Sequence, residues 1–407
     1  METAWDHRFA QRTQRMQSSA IRELLKLVTE PDVISFAGGL PGPDVFPIKE
    51  FNQACTKVLI EEGSLALQYG TTEGYQPLRE KIAEITSQYG IGVTADNILI
   101  TSGSQQALDL LGKTFINPGD KILTEAPTYL GAIQAWNAYG ADFVTVPSDD
   151  DGMITDALDH ALRYGPKFIY VLPNFQNPSG TTLPLERRKQ LVDLAERYGV
   201  PIVEDDPYGQ LRYEGDHIPA VEVLDCRIRE TNSCYSGNVI YLSTFSKTLA
   251  PGLRLAWVVA PPEVIRKMVL SKQGADLHTA TFNQVVAYEV IKNGFLDEHI
   301  HLIRKVYRER RDAMLNSLAR EMPAGVRWTH PQGGLFLWAT LPEEIDTAQI
   351  FTEAIKEKVA FVPGASFFPC GGGHNTMRLN FSYSTTEQIE EGIGRLARVI
   401  RKFISIE

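Results

Sequence analysis

The chain has 407 residues, 43% hydrophobic and 22% charged, an ordinary globular balance that suffices for two domains or one large domain with an appendage. A formal net charge of −10 argues against nucleic acid as a main partner, because that binding needs a basic face. No apolar run approaches the ~18–20 residues that span a bilayer, and METAWDHRFAQRTQRMQSS, with no apolar core, does not read as a secretory signal. The four cysteines, Cys55, Cys226, Cys234 and Cys370, show no C-x-x-C spacing, so free thiols in a reducing cytoplasm are expected. No metal-ligand cluster stands out among the histidines.

Residues 18–28, SSAIRELLKLV, predict a helix: Ser18 or Ser19 caps it, Ile21, Leu24, Leu25 and Val28 share a face, and Pro31 ends it. Arg22 sits beside that face. ISFAGGLPGPDVFP comes next, an irregular Gly/Pro segment whose apolar residues suggest that it packs across a site. Residues 50–62 and 75–89 predict helices, separated by LQYGTTEGY. From about Asn97 short apolar strands alternate with helices: NILIT, a helix from Ser104, KILTEA, GAIQAWNAY, DFVTVP, KFIYVLP, LERRKQLVDLAERYG, PIVEDD, NVIYLS and LRLAWVVA. That alternation predicts an α/β fold with a mostly parallel, doubly wound sheet. Residues 216–237 are a polar insertion with no predicted element. From about Thr279 the chain turns helical, then continues through RWTHPQGGLFLWATL, a helix at DTAQIFTEAIKEK, MRLNFS and a closing helix. The expected organisation is an N-terminal segment over the site (1–48), a large domain (49–285) and a smaller α+β domain (286–407) that also takes in the N-terminal segment.

In an open α/β sheet ligands bind beyond the carboxyl ends of the strands, so the residues just past each strand are informative. After NILIT come Ser102, Gly103, Ser104, Gln105 and Gln106, small and polar residues at a helix start, where free N–H groups and the dipole favour an anion. After KILTEA comes Pro127-Thr128-Tyr129. After KFIYVLP comes NFQNPSG, whose Asn-Pro-x-Gly turn aims Asn177 at the sheet edge. After PIVE come Asp205 and Asp206 and then Tyr208; a carboxylate at a buried strand end is costly unless paired.

The strand-like run Val239 to Leu242 leads through Ser243, Thr244, Phe245 and Ser246 to Lys247, and Arg254 lies seven residues on. Hydroxyls and an arginine suit a phosphate, and Arg254 disfavours a second positive charge on Lys247. Such an amine is held neutral and nucleophilic, able to condense with a carbonyl. The cofactor that needs both a Schiff-base lysine and a phosphate cup is pyridoxal 5′-phosphate.

This lysine segment resembles that of the class I aminotransferases, the large pyridoxal-phosphate fold family. SAIRELLKL, ISFAGGLP, QYGTTEGY, TSGSQQALDL, FQNPSG, VEDDPYG and KQGADLHT extend the resemblance over nearly the whole chain, in the form of the 2-aminoadipate and kynurenine aminotransferases, particularly those of bacterial lysine biosynthesis. The resemblance implies that Gly103, Ser104 and Gln105, with Thr244, Ser246 and Arg254, hold the phosphate. Thr244 departs from the serine of many members but keeps the hydroxyl. Tyr129 stacks on the pyridine ring, Asp205 pairs with the ring nitrogen, and Asn177 and Tyr208 reach the ring oxygen. Lys247 is the anchor and the proton-moving base. Arg378, in MRLNFS, clamps the substrate α-carboxylate, and Gly39 approaches the substrate. Tyr69 reaches the phosphate of a neighbouring subunit, so a homodimer with shared sites is expected.

The implied activity is transfer of an amino group from an L-amino acid to a 2-oxo acid, most directly from 2-aminoadipate to 2-oxoglutarate, with glutamate, leucine and aromatic amino acids as further donors. Arg22 is expected to pair with the distal carboxylate of an acidic substrate and to swing away from an apolar one. A β-lyase or decarboxylase is the alternative within the same fold. A transcription regulator using such a domain as a ligand sensor is the alternative outside catalysis, and it needs a basic N-terminal domain where about thirty residues precede ISFAGGLP.

Overall fold

A computed structural model describes residues 5–16, 32–88, 90–229 and 235–404. The helix predicted over 18–28, with Arg22 in it, lies outside these residues, as does Cys234.

Two short 3-10 helices, Trp5–His7 and Gln11–Arg15, and a two-residue strand, β1 (Ile34–Ser35), come before one large sheet. Its strands are β2 (Ile98–Thr101), β3 (Lys121–Ala126), β4 (Asp142–Asp149), β5 (Gly152–Met153), β6 (Phe168–Val171), β7 (Ile202–Asp205), β8 (Val239–Thr244) and β9 (Ala256–Val259). They lie in the order β2-β9-β8-β7-β6-β3-β4-β5. The central pairs, β3 with β4 and β6, β6 with β7, and β7 with β8, are parallel, while β9 runs antiparallel between β8 and β2. Every residue of β6 and β7 is buried, as a parallel strand covered on both faces must be. Two apolar layers cover the sheet. One joins Ala54, Val58, Ile82, Leu191 and Val286 from four helices; the other joins Leu108, Leu111, Trp136 and Met268 from three more.

The chain then forms a second body. Strands β10 (Arg327–Trp328), β11 (Phe336–Thr340), β13 (Val362–Pro363) and β14 (Thr376–Asn380) make a four-stranded antiparallel sheet in the order β10-β11-β14-β13. The long helix Phe295–Glu321, the helix Thr347–Lys356 and the closing helix Thr386–Ile404 pack around it. The segment β12 (Val359–Ala360) pairs in parallel with β1, and Phe36 packs into this same core, which ties the irregular N-terminal segment to the second body.

The insertion at 216–237 contains a helix, Val221–Arg229. Its first N–H groups, Val221 and Glu222, each donate at 2.9 Å to the buried carboxylate of Glu204 on β7. That carboxylate does for the helix what a local cap residue ordinarily does. A cap supplied from another strand leaves no local start signal, which is why the sequence reads as featureless there.

Candidate active site

The carboxyl end of β2 turns through Gly103, whose φ of 84° lies in the left-handed region. A Cβ at Gly103 would come within 2.2 Å of the Arg254 guanidinium, so the absence of a side chain is what lets that cation lie against the start of helix Ser104–Phe115. Arg254 itself has φ 53°, an uncommon conformation for a residue with a side chain, and closes the short turn Pro251–Leu253. On the neighbouring strand end, the Thr244 hydroxyl donates to the Leu255 carbonyl at 2.9 Å and accepts from the Ser246 N–H at 3.0 Å. Gln105 donates to the Gly131 carbonyl at 2.9 Å. The Ser104 hydroxyl is buried and has no hydrogen-bond partner among the described residues.

At the end of β7, Asp205 is 2% exposed. The Tyr170 hydroxyl donates to its Oδ2 at 2.7 Å, and its Oδ1 has no partner among the described residues. Burial pushes this carboxyl up to about 7, with Asp206 adding to the rise and Tyr170 opposing it. Tyr208 is hydrogen-bonded to the Asn177 side chain, and burial raises its phenol well above the usual range. Asn177 Oδ1 accepts from Arg378 Nη1 at 2.8 Å.

Arg378 is the centre of the second body's contribution. It lies on β14, inside its sheet between β11 and β13, and is only 2% exposed. Its guanidinium sits 4.3 Å from the ring centre of Phe336 and 5.1 Å from that of Phe367. Nη2 donates to the Ala37 carbonyl at 2.7 Å, and Nε has no partner among the described residues. Burial lowers its pKa to about 10.

Lys247 comes after β8 and donates from Nζ to the Gly39 carbonyl at 2.7 Å. Its ammonium is lowered to about 8, first by desolvation, then by Arg378, then by Arg254. The sequence pointed to Arg254 alone; burial and an arginine 131 residues away act more strongly. Gly39 is in turn confined, since a Cβ there would lie 3.1 Å from the Phe336 ring.

Hydrogen bonds thus join Lys247 to Gly39 and Arg378 through Asn177 to Tyr208, and electrostatic interactions bring in Asp205 at Tyr208 and tie Lys247 to Arg378 and Arg254, the last lying against Gly103. Tyr129 begins the helix Leu130–Asn137 and interacts electrostatically with Tyr208 and Arg378. Tyr69 lies at the surface, 79% exposed, its ring edge-on to His278 at 5.7 Å.

Sequence reasoning did not single out Tyr170, Phe336, Phe367 or the pair Glu125–Gln176. Gln176 Nε2 bridges Glu125 Oε2 at 3.0 Å and the Pro127 carbonyl at 2.8 Å, while its Oε1 accepts from the Ser179 N–H at 3.1 Å. That amide holds the turn carrying Asn177. The available signal was Glu125 itself, an acid inside an apolar strand, which burial pushes up to about 7 and which must find partners.

These residues fit pyridoxal 5′-phosphate. Asp205 Oδ1 is a buried acceptor still free for a protonated ring nitrogen, and Ser104 Oγ is a buried hydroxyl still free at a helix N-terminus. Lys247 supplies an amine whose neutral form is accessible near neutral pH.

Comparison with known proteins agrees. A family model described as aminotransferase class I and II matches residues 32–396. The chain is 49% identical over 401 residues to the aromatic-amino-acid aminotransferase 1 of Thermococcus litoralis, covering 97% of this chain and 94% of that one. It is 46% identical over 404 residues to the 2-aminoadipate transaminase of Thermus thermophilus, covering 99% of each. The structure superposes with a TM-score of 0.92 on the α-aminoadipate aminotransferase of Thermus thermophilus complexed with N-(5′-phosphopyridoxyl)-L-leucine, at 45% identity over 100% of both chains. A fold assembled from these strand ends, and a match this extensive, leave one conclusion: the chain belongs to the class I and II aminotransferases and is an aminotransferase that works with pyridoxal 5′-phosphate.

Proposed function

We propose that this aminotransferase takes the amino group of 2-aminoadipate and delivers it to 2-oxoglutarate, with glutamate, leucine and aromatic amino acids as further donors, in the cytoplasm and as a homodimer. The observation that carries the reading is Arg378. A buried guanidinium between two phenyl rings, close enough to depress the Lys247 ammonium, suits a substrate carboxylate held in two-point geometry beside the reacting amine. The names of the relatives favour an acidic or an aromatic side chain beyond that carboxylate.

Pyridoxal 5′-phosphate, when bound, supplies an electron-withdrawing ring that acidifies the Cα–H of the amino acid. In this reading Asp205 keeps the ring nitrogen protonated, and Asn177 and Tyr208 hold the ring oxygen. Lys247 would be the base that takes up and returns the proton at Cα of the substrate. Tyr129 packs on the ring; Gly103, Ser104, Gln105, Thr244, Ser246 and Arg254 hold the phosphate. Gly39 borders the substrate. The exposed Tyr69 at 79%, with Leu67 at 73% and Ile60 at 77%, supports a surface that a second copy covers, from which Tyr69 reaches the other site.

Arg22, outside the described residues, is proposed to pair with the distal carboxylate of acidic donors. The test is kcat/KM for 2-aminoadipate, glutamate, leucine and phenylalanine with 2-oxoglutarate as acceptor, in wild type and Arg22→Ala. Both acidic donors are expected to fall at least about tenfold in the variant, with leucine and phenylalanine little changed. An equal fall for all four, or none, removes Arg22 from substrate recognition. A wild type that uses 2-aminoadipate least well of the four overturns the donor assignment.

A further inference from the structure

The KQGADLHT run, residues 272–279, has no part in the chemistry above, yet it contains a fully buried cation. Lys272 closes the helix Pro262–Gln273 with its side chain at 0% exposure. Its Nζ donates to Asp276 Oδ1 and Oδ2, both at 2.8 Å, and to Gln106 Oε1 at 2.7 Å. Gln106 Nε2 donates back to Asp276 Oδ2 at 2.7 Å. The circuit closes on the loop after β2: the Ser102 N–H donates to Gln106 Oε1 at 2.7 Å, and the Ser102 hydroxyl donates to Asp276 Oδ2 at 3.1 Å. Next along the run, Thr279 donates to the Ile100 carbonyl on β2 at 3.3 Å.

This pair is a poor device for stability, because taking the Lys272 ammonium out of water offsets much of the attraction, while Asp276, with its side chain 29% exposed, is partly screened by solvent. What it supplies here is geometry. It grips Ser102 and Gln106, the two residues on either side of Gly103, Ser104 and Gln105. Of those three, Ser104 and Gln105 carry main-chain N–H groups at a helix start, the Gly103 N–H already donating to the Thr101 carbonyl at 2.8 Å, and Ser104 adds a buried hydroxyl lacking a partner among the described residues. A loop that must present several N–H groups to one anion loses affinity if their directions drift, so the flanks need fixing.

We propose that Lys272 and Asp276, acting through Gln106 and Ser102, are positioning residues for the cofactor phosphate. They make no contact with it; they hold the loop that does. The inference rests on the reading of residues 103–105 as the phosphate loop.

The test titrates cofactor-free protein with pyridoxal 5′-phosphate and, separately, with pyridoxal, which lacks the phosphate, following the absorbance of the Lys247 adduct. The variants are Asp276→Asn and the apolar pair Lys272→Met with Asp276→Leu, which removes the ion pair without leaving a buried charge alone. Both variants are expected to bind pyridoxal 5′-phosphate about ten- to a hundredfold more weakly. Pyridoxal binding is expected to stay within about twofold of wild type. Equal weakening of both ligands, or unchanged affinity for the phosphorylated one, overturns the positioning role. A wild type that does not prefer the phosphorylated ligand overturns instead the reading of the loop on which the role rests.

Discussion

The candidate site has two ends built on opposite terms. At one end Asp205, Asn177, Tyr208 and Arg378 are no more than 5% exposed, and the buried charged groups are pushed toward neutrality: Asp205 up to about 7, Arg378 down to about 10. At the other end Gln105 and Arg254 are exposed within a single chain. Charges removed from water interact strongly and are expensive to leave unpaired, whereas exposed ones are screened. The buried end therefore carries the larger effects in its residues one by one, and the open end spreads its hold over many donors.

The largest effect is expected at Lys247, which stands between the two. Lys247→Ala should lower the rate of the first half-reaction by about 10²–10⁴-fold, measured in single turnover. A rate within about tenfold of wild type would remove Lys247 as the proton carrier.

Asp205→Asn comes next, with the half-reaction slowed by about 10²–10³-fold while cofactor still binds. The same residue gives a pH test. Its carboxyl is raised above the ordinary value of 3.8 in the folded, cofactor-free state, so that state binds the proton more tightly than the unfolded chain does. Stability of the cofactor-free protein should therefore fall as pH rises from about 4 through 7. Glu125 and Glu204 shift the same way, so Asp205→Asn should flatten the melting-temperature profile in part. An unchanged profile would place Asp205 in water rather than in the core.

Arg378→Lys keeps a charge but loses the planar fork, and it removes a donor from both Asn177 and the Ala37 carbonyl. A fall in kcat/KM of about thirty- to a hundredfold, uniform across donors, is expected. A fall confined to acidic donors would move Arg378 from the α-carboxylate to the side-chain end.

The smallest effect is expected at the phosphate end, at Thr244, which is itself only 4% exposed but gives up no polar group in the change that follows. Thr244→Ser keeps the hydroxyl that donates to the Leu255 carbonyl and loses one methyl group, so affinity for pyridoxal 5′-phosphate should change by less than about threefold. A change as large as that of Arg378→Lys would erase the contrast between the two ends.

The strand ends were legible because each is a local event. An apolar run ending in a small or polar group, as in Ile98–Thr101 before Gly103 or Ile202–Asp205, records both the strand and what it delivers. The insertion at 216–237 was not legible, because the carboxylate at its helix start belongs to Glu204, on another strand.

From the sequence alone came the doubly wound α/β class, the lysine segment, and the residues at the carboxyl ends of β2, β3, β6, β7 and β8. Tertiary structure alone decided how those residues are tuned. Tyr170 meets Asp205 across 35 positions, Lys272 meets Gln106 across 166, and Arg378 meets Asn177 across 201. Period and turn chemistry act over a few residues and can be read in order. Desolvation and through-space pairing depend on which distant groups share a low-dielectric volume, and that is settled only when the two bodies pack together.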